Sequence, residues 1–471
     1  MDLMKDCRMH ICKRIIATLL LGATLLFGQD LLLQDREVVV TLGNSITELG
    51  ENPTGYVTLM RKSLAVLYPE RQIYLVNAGI SGHKSTDMAE RLQRDVLDLQ
   101  PAWVTISVGV NDVWHGFLAR ERGWMQLSPV PLPLYREKVT EMVRRARAQK
   151  IKVALFTTTV IKEDLASPEN LALVPYNAAL REIAKKEKCL LVDQDAAFRA
   201  VLQPLQKTGM SDHGVLTYDG VHMLPAGDAL MARTALLAFG VPATRLEQGS
   251  ALIAAAVTAE KEGLEKSLAR YSEANAEVGL PRQDEKRVVF FGSSSVDIWN
   301  LARSFSGVPL LNRGIGGEST HQFWLRYRQD VAQLKPAAMI LFCGSLNDLW
   351  PDKRMNLDES RANIARLCRM ARDQGIQVAV GAVMPVNDYL PGKEAALATH
   401  PVSQIRELNL WNRALCDREG YAYIDFFSAV ADSSGKLRKE FSDDGMHCNS
   451  AGYAAWQPLV ETVLRKWGVQ P

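Results

Sequence analysis

The chain alternates between short runs that are apolar throughout and longer stretches whose apolar residues recur every three or four positions. In the N-terminal half the continuous runs fall at 38–42, 73–76, 102–108, 151–157 and 189–193, and they are rich in Val, Ile and Leu. Runs of that length without polar alternation predict strands buried on both faces, as in a parallel sheet. Between them, 56–67 and 134–149 carry apolar positions at helical spacing, and a further helix is predicted over 175–188, following Pro175. The C-terminal half repeats the order, with strands near 288–291, 309–311, 337–343, 376–381 and 421–425 and helices near 357–374 and 403–418. The third helix of the first half holds Asn177-Ala-Ala-Leu180, and the last of the second holds Asn412-Arg-Ala-Leu415. Strand and helix in alternation predict an α/β fold with a parallel sheet covered on both faces, present twice. Ligands of such sheets bind at the carboxyl ends of the strands.

The two repeats place domains at 35–245 and 285–468, joined over 246–284 by a connector. Residues 247–277 are rich in Ala, Glu, Lys and Leu and poor in Gly and Pro, which predicts a helix and not a loose tether. Its apolar positions Leu252, Ile253, Ala256, Leu264 and Leu268 are expected to lie against one domain. Residues 1–28 stand apart: Lys13-Arg14 precede an apolar stretch from Ile15 to Gly28. That is a secretory signal pattern, too short for a comfortable membrane span, with cleavage near Gly28-Gln29. A secreted or periplasmic protein without stable membrane insertion is expected.

Composition narrows the classes further. With 55 basic against 53 acidic residues in 471, and no long like-charge run, the chain has no nucleic-acid signature. Of seven cysteines, Cys7 and Cys12 fall in the removable segment. The other five lack paired spacing and read as buried free thiols. No histidine cluster has metal-ligand spacing, so neither a metal nor a cofactor is implied.

The candidate chemistry sits at the strand ends and is duplicated. The first strand of each half runs into a tight serine turn, Gly43-Asn44-Ser45-Ile46-Thr47 and Gly292-Ser293-Ser294-Ser295. An Asn-x-Gly-Ile-x-Gly turn follows, Asn77 to Gly82 and Asn312 to Gly317. An apolar run then ends in Asn-Asp-x-Trp, Asn111 to Trp114 and Asn347 to Trp350, and each half closes with Asp-Gly-x-His, Asp219 to His222 and Asp444 to His447. A serine hydroxyl needs an adjacent base to become a nucleophile, histidine is the usual base, and an acid fixes its tautomer. Acyl transfer also needs donors for the oxyanion, which the serine N–H, a turn glycine N–H and an Asn amide can supply.

These residues resemble the SGNH hydrolase (GDSL esterase/lipase) superfamily over both halves. The resemblance implies two tandem flavodoxin-like α/β/α sandwich domains. It implies Ser45 and Ser294 as nucleophiles, His222 and His447 as bases, and Asp219 and Asp444 as their partners. Gly82 and Asn111 in the first half, and Gly317 and Asn347 in the second, match the oxyanion positions. Asn44 stands where the family usually has Asp, and as a near isostere it is expected to keep the turn hydrogen bonds. Gly344-Ser-Leu-Asn347 is one residue longer than Gly109-Val-Asn111. Either Ser345 replaces the glycine or a bulge precedes Asn347, which predicts a displaced Asn347.

The expected protein is an exported serine esterase acting on small acyl esters, acetyl above all, on small-molecule or polysaccharide substrates. One alternative is a lysophospholipase or thioesterase for longer acyl chains. Another is one active domain beside a non-catalytic carbohydrate-binding module, with the second half the candidate. Trp114 and Trp350 suit either sugar stacking or wall packing. His83 is expected beside the site, His115 and His213 in solvent, and His321 and His400 have no evident partner.

Overall fold

The computed structural model describes residues 31–469, apart from 125, 209–210 and 391–393; residues 1–28, expected from sequence to be a signal, lie outside the described residues. The chain forms two compact units, one running to Thr258 and the other starting at Ala259.

Unit one is built on β1 (Val38–Gly43), β2 (Tyr74–Gly79), β3 (Trp103–Ser107), β4 (Lys152–Phe156) and β5 (Leu190–Val192). All pair in parallel, in the order β2-β1-β3-β4-β5. Unit two repeats this with β6 (Val288–Gly292), β7 (Leu310–Gly314), β8 (Ala338–Phe342), β9 (Gln377–Gly381) and β10 (Ala422–Ile424), in the order β7-β6-β8-β9-β10. This is the flavodoxin-like order, and in each unit the chain reverses direction across the sheet at the first strand. Ser45 follows β1 at that switch point in one unit, and Ser294 follows β6 in the other.

The strands are apolar throughout because helices cover both faces. In β6, Val288 and Phe290 pack with Trp299 and Trp456, while Val289 and Phe291 face Phe323 and Tyr327 on the other side. In unit one Leu31 and Leu33 also enter the core, and Leu32 N–H donates to Phe239 O.

Two local readings need correction. The helix expected from Pro175 begins at Pro168 and runs to Lys186. Ser167 caps it by accepting from Asn170 N, Pro168 occupies a first-turn position, and the helix continues through Pro175. The paired motifs Asn177 and Asn412 do different things. Asn177 Oδ1 accepts from Thr158 N at 2.8 Å beyond β4, but beyond β9 it is Asn409, one turn before Asn412, that accepts from Val383 N at 2.7 Å.

The connector is a helix, Ala243–Val278. Its apolar residues are not its contact face throughout: Leu252 is 65% exposed, and the most buried residue of its second half is Ser267. Ile253 does pack on the core of unit one, where Arg245 also stacks on Tyr68.

Candidate active site

Ser45 opens the short helix Ser45–Leu49 directly after β1. Asn44 is its cap, and the Asn44 side chain accepts from Ile46 N at 3.0 Å, so the amide keeps the turn bond expected of it. Ser293 takes the same place in unit two but does not cap; its hydroxyl donates to Cys343 O at 3.0 Å. Asn77 fastens the serine turn to β2: its Nδ2 donates to Thr47 O at 2.6 Å and its Oδ1 accepts from Gly79 N at 2.9 Å. Asn312 makes the matching bonds to Val296 O and from Gly314 N. The contact is so close that a Cβ on Gly79 would lie 2.2 Å from Glu48 N, and one on Gly314 2.1 Å from Asp297 N.

His222 Nε2 lies 2.8 Å from Ser45 Oγ, and its Nδ1 lies 2.7 Å from Asp219 Oδ2. In unit two His447 Nε2 lies 3.0 Å from Ser294 Oγ and Nδ1 lies 2.7 Å from Asp444 Oδ2. Each aspartate also accepts two backbone N–H bonds from the next residues but one and two: Val221 and His222 to Asp219, Met446 and His447 to Asp444. Partial burial works against the charge of each carboxylate, but the histidine ring and these N–H groups outweigh it and hold both at about 2. An ionised aspartate on Nδ1 leaves Nε2 facing the serine as an acceptor.

Gly82 and Gly317 adopt φ of +80° and +79°, and the space where a side chain would project is open in both. The residue after each glycine receives the asparagine: Asn111 Nδ2 donates to His83 O at 3.1 Å, and Asn347 Nδ2 to Glu318 O at 2.9 Å. The displacement expected of Asn347 is therefore absent. The extra residue is absorbed before it, with Gly344 at φ +62° and Leu346 at φ +69°. A leucine in the left-handed region is strained by roughly 1–2 kcal/mol. His400 supports it: the ring is fully buried and Nε2 donates to Leu346 O at 3.1 Å. Burial lowers the His400 pKa and keeps it neutral, which suits one donating and one accepting nitrogen. The aspartates after the asparagines anchor the helices that follow the glycine turns, Ser85–Asp95 and Thr320–Asp330. Asp112 accepts from Ser85 N and Oγ, Asp348 from Thr320 N and Oγ1, and burial pushes Asp112 up to about 6 despite the Ser85 bonds.

Sequence reasoning missed a buried arginine in each unit. Arg91 Nη2 donates to Gly43 O and Nη1 to Ala78 O and Asp95, joining the ends of β1 and β2 behind the serine. Arg326 makes the equivalent set to Gly292 O, Arg313 O and Asp330, and adds Glu318 at 2.5 Å. The signal was there to be used: each arginine lies at the same offset after its glycine and is followed by Asp four residues on.

The surroundings of the two sites differ. Around His222, Tyr218 stacks at 5.7 Å and Trp114 meets the ring edge-on at 6.1 Å. A cleft of about 660 Å³ adjoins Gly82 and Asp219, lined among others by His83, Trp114, His115, Arg122, Trp124 and Gln126. Trp124 is 42% exposed, with the Arg122 guanidinium 5.2 Å from its ring centre. His115 was expected in solvent but is only 7% exposed, whereas His213 is exposed. In unit two Asp443 stands where unit one has Tyr218, and Trp350 packs on His400 at 4.8 Å. His321, without a partner from sequence, lies 3.0 Å from Glu260. The segment from Asn111 to the helix Leu132–Ala148 is more than twice as long as that from Asn347 to the helix Leu357–Asp373, and its extra length builds the cleft wall.

Among the described residues no group of three or more His, Cys, Asp or Glu is placed to hold a metal, and no helix is long and apolar enough to cross a membrane. Cys343, Cys368, Cys416 and Cys448 are buried thiols and Cys189 is half-buried.

A flavodoxin-like sheet with Ser, His and Asp in hydrogen-bonded series at its switch point defines a class, the serine hydrolases of the α/β/α type. The profile of the GDSL-like lipase/acylhydrolase family matches this chain over residues 41–230 and again over 297–455, and the chain belongs to that family. It is a carboxylic ester hydrolase. It is similar to an acetylxylan esterase of Geobacillus stearothermophilus, 31% identical over 215 residues that make up 43% of this chain and 94% of the relative. Among solved structures it resembles a GDSL-like lipase of Bacteroides thetaiotaomicron (27% identity, 42% of this chain and 97% of that one, TM-score 0.40). A putative acylhydrolase of Bacteroides fragilis is alike at 28% identity, 42% and 96% coverage and TM-score 0.39.

Proposed function

We propose that this hydrolase removes acetyl groups from carbohydrate esters at two sites, with Ser45 and Ser294 as nucleophiles. His222 takes the Ser45 proton as the hydroxyl attacks the acetyl carbon, and returns it to the departing sugar oxygen. A water, deprotonated by the same nitrogen, then releases acetate from the acyl-serine. Asp219 orients the imidazole and stabilises its charged form. The N–H groups of Ser45 and Gly82 and the second N–H of the Asn111 amide are the proposed oxyanion donors. Ser294, His447, Asp444, Gly317 and Asn347 take the same parts in unit two.

The observation that carries this reading is the repeated series: 2.8 and 2.7 Å in unit one, 3.0 and 2.7 Å in unit two. That repetition favours two working sites over a silent second module. The acetyl-carbohydrate choice is supported by the acetylxylan esterase relative and by the cleft beside Gly82. Its lining sets the rings of Trp114 and Trp124 beside hydrogen-bonding groups such as Asp87 and Gln126, a mixture that suits the apolar face and hydroxyls of a sugar. Rates on acetylated xylan and on p-nitrophenyl esters of rising chain length test it. Acetate is expected to be the fastest ester, and faster turnover of octanoate overturns the choice.

The domain limits 35–245, 246–284 and 285–468, and export through residues 1–28, are part of the same proposal. N-terminal sequencing of protein recovered outside the cytoplasm should find residues 1–20 gone.

A further inference from the structure

The second half of the helix Ala243–Val278 does not end its role at joining two repeats. Glu260, Ser267, Tyr271 and Asn275 are spaced by seven, four and four residues, which puts them on one helical face. These polar residues share the face with the half-buried Leu264, Leu268 and Val278, and within unit two each of the four reaches the segment from Arg313 to Asp330. Tyr271 O–H donates to Gly314 O at 2.5 Å. Ser267, 7% exposed, lies beside the Glu318 carboxylate. Glu260 meets His321, and Asn275 Oδ1 accepts from Arg313 Nε at 2.7 Å while its Nδ2 donates to Asp330 at 2.8 Å. Arg270, on the flank of the face, lies 3.3 Å from Asp297 Oδ1, and Asp297 Oδ2 accepts from Gly316 N at 3.1 Å.

The contacts of Tyr271 and Ser267, and of Arg270 through Asp297, bear on the turn Gly314–Glu318, which carries Gly317. From its other side the turn is held by Asn347, through Glu318 O. In unit one the corresponding turn is held by residues of the sheet unit itself. Glu48, the counterpart of Asp297, accepts from Ser81 N at 2.8 Å, and Arg91 bonds His83.

We infer that this helix is a working part of the second site, and that Tyr271, with Ser267 and Arg270, is a positioning residue for the turn that presents Gly317 N–H. The inference rests on Ser294, His447 and Asp444 forming an active site. Apolar contact accounts for part of the face, since Val278 packs on the unit-two core, but a directional hydrogen bond such as that from Tyr271 O–H to Gly314 O is more than apolar burial requires. What such bonds fix is the place of a donor, and a misplacement near 1 Å can cost roughly a hundredfold in rate.

The test uses the full chain carrying Ser45→Ala, so that only the second site reports, with p-nitrophenyl acetate as substrate. Tyr271→Phe removes one O–H and little else; Ser267→Ala and Arg270→Gln are then added to it. We expect kcat to fall about tenfold in the triple variant with KM within about twofold, because a loosened oxyanion turn weakens transition-state binding and leaves ground-state binding alone. Labelling of Ser294 by an organophosphonate should slow by the same factor. The same three substitutions in a Ser294→Ala chain should leave first-site kcat unchanged, and Arg270→Lys should keep more activity than Arg270→Gln. A triple variant with kcat within twofold of its parent overturns the inference. So does a loss that appears equally at the first site, or one that follows the folded fraction measured by circular dichroism. If the Ser45→Ala parent neither turns over the ester nor takes the label at Ser294, the active-site reading of unit two fails first, and the positioning role fails with it.

Discussion

The side-chain amide of Asn347 donates to Glu318 O at 2.9 Å, as that of Asn111 does to His83 O, although the segment before Asn347 is one residue longer. Equal placement predicts equal effect. Asn347→Ala in a Ser45→Ala chain and Asn111→Ala in a Ser294→Ala chain should each lower kcat by roughly 10²–10³, the cost of one oxyanion donor. Steady-state rates decide it. An Asn347→Ala chain as active as its parent, beside a crippled Asn111→Ala chain, would break the equivalence of the two sites.

The longer segment depends on His400. Removing the ring takes one of two donors from the Leu346 carbonyl, leaving Leu349 N–H at 3.2 Å, and opens a cavity beneath Trp350. His400→Ala should destabilise unit two by about 2–4 kcal/mol in urea unfolding. It should also reduce second-site kcat more than first-site kcat. His400→Gln, which can still donate, should recover part of both. Equal stability of His400→Ala and wild type removes the role given to the ring.

The cleft of unit one yields a separation of substrates. Trp124 offers a partly exposed ring steadied by Arg122, and a stacked sugar gains roughly 1–1.5 kcal/mol. In a Ser294→Ala chain, Trp124→Ala should lower kcat/KM for an acetylated xylo-oligosaccharide about tenfold, while p-nitrophenyl acetate stays within about twofold. Equal losses on both substrates would mean that the ring shapes the site and does not bind sugar.

Asp228 gives a pH dependence. It lies buried at the start of the helix Pro225–Ala238, where burial pushes its pKa up to about 8 against the one bond it accepts from Tyr56 N. The folded state thus holds its proton more tightly than the unfolded chain. Any contribution to stability is present below the ordinary carboxylate range and is lost as pH rises towards 8. Asp228→Asn keeps an acceptor for Tyr56 N and removes the titration. The variant should melt at nearly the wild-type temperature near pH 4 and pull ahead by roughly 5 °C or more near pH 8. A constant difference across that range would assign Asp228 no such role.

The sheet and the reacting residues were legible for physical reasons. Strands covered on both faces leave continuous apolar runs, and their limits were read to within a few residues. Ser45, His222 and Asp219 could be named because chemistry demands those residue types and because the second half repeats them. What stayed hidden lies in long-range polar contacts. Nothing local to His400 announces that it reaches Leu346, and nothing local to Ser267 announces Glu318. The connector was read in part. Of the apolar residues expected to mark its buried side, Leu252 is exposed while Ile253, Ala256, Leu264 and Leu268 are half-buried, and in the second half polar residues share that side. Arg91 and Arg326 could have been found, because comparing the halves residue by residue puts them in register.

Arg326 bears on how unit two assembles. Its guanidinium has no exposure to solvent, and its acceptors come from the end of β6, the end of β7, the turn at Glu318 and its own helix Thr320–Asp330. Burying that charge with any of these missing costs several kcal/mol. A chain in which β6 and β7 have not yet paired must keep the guanidinium in water, and so must keep the helix away from the sheet. Half-built versions of the serine turn are therefore poorly populated, and the end of the sheet that holds Ser294 forms as one cooperative unit. Amide hydrogens of β6, β7 and the helix Thr320–Asp330 should open together in native-state exchange.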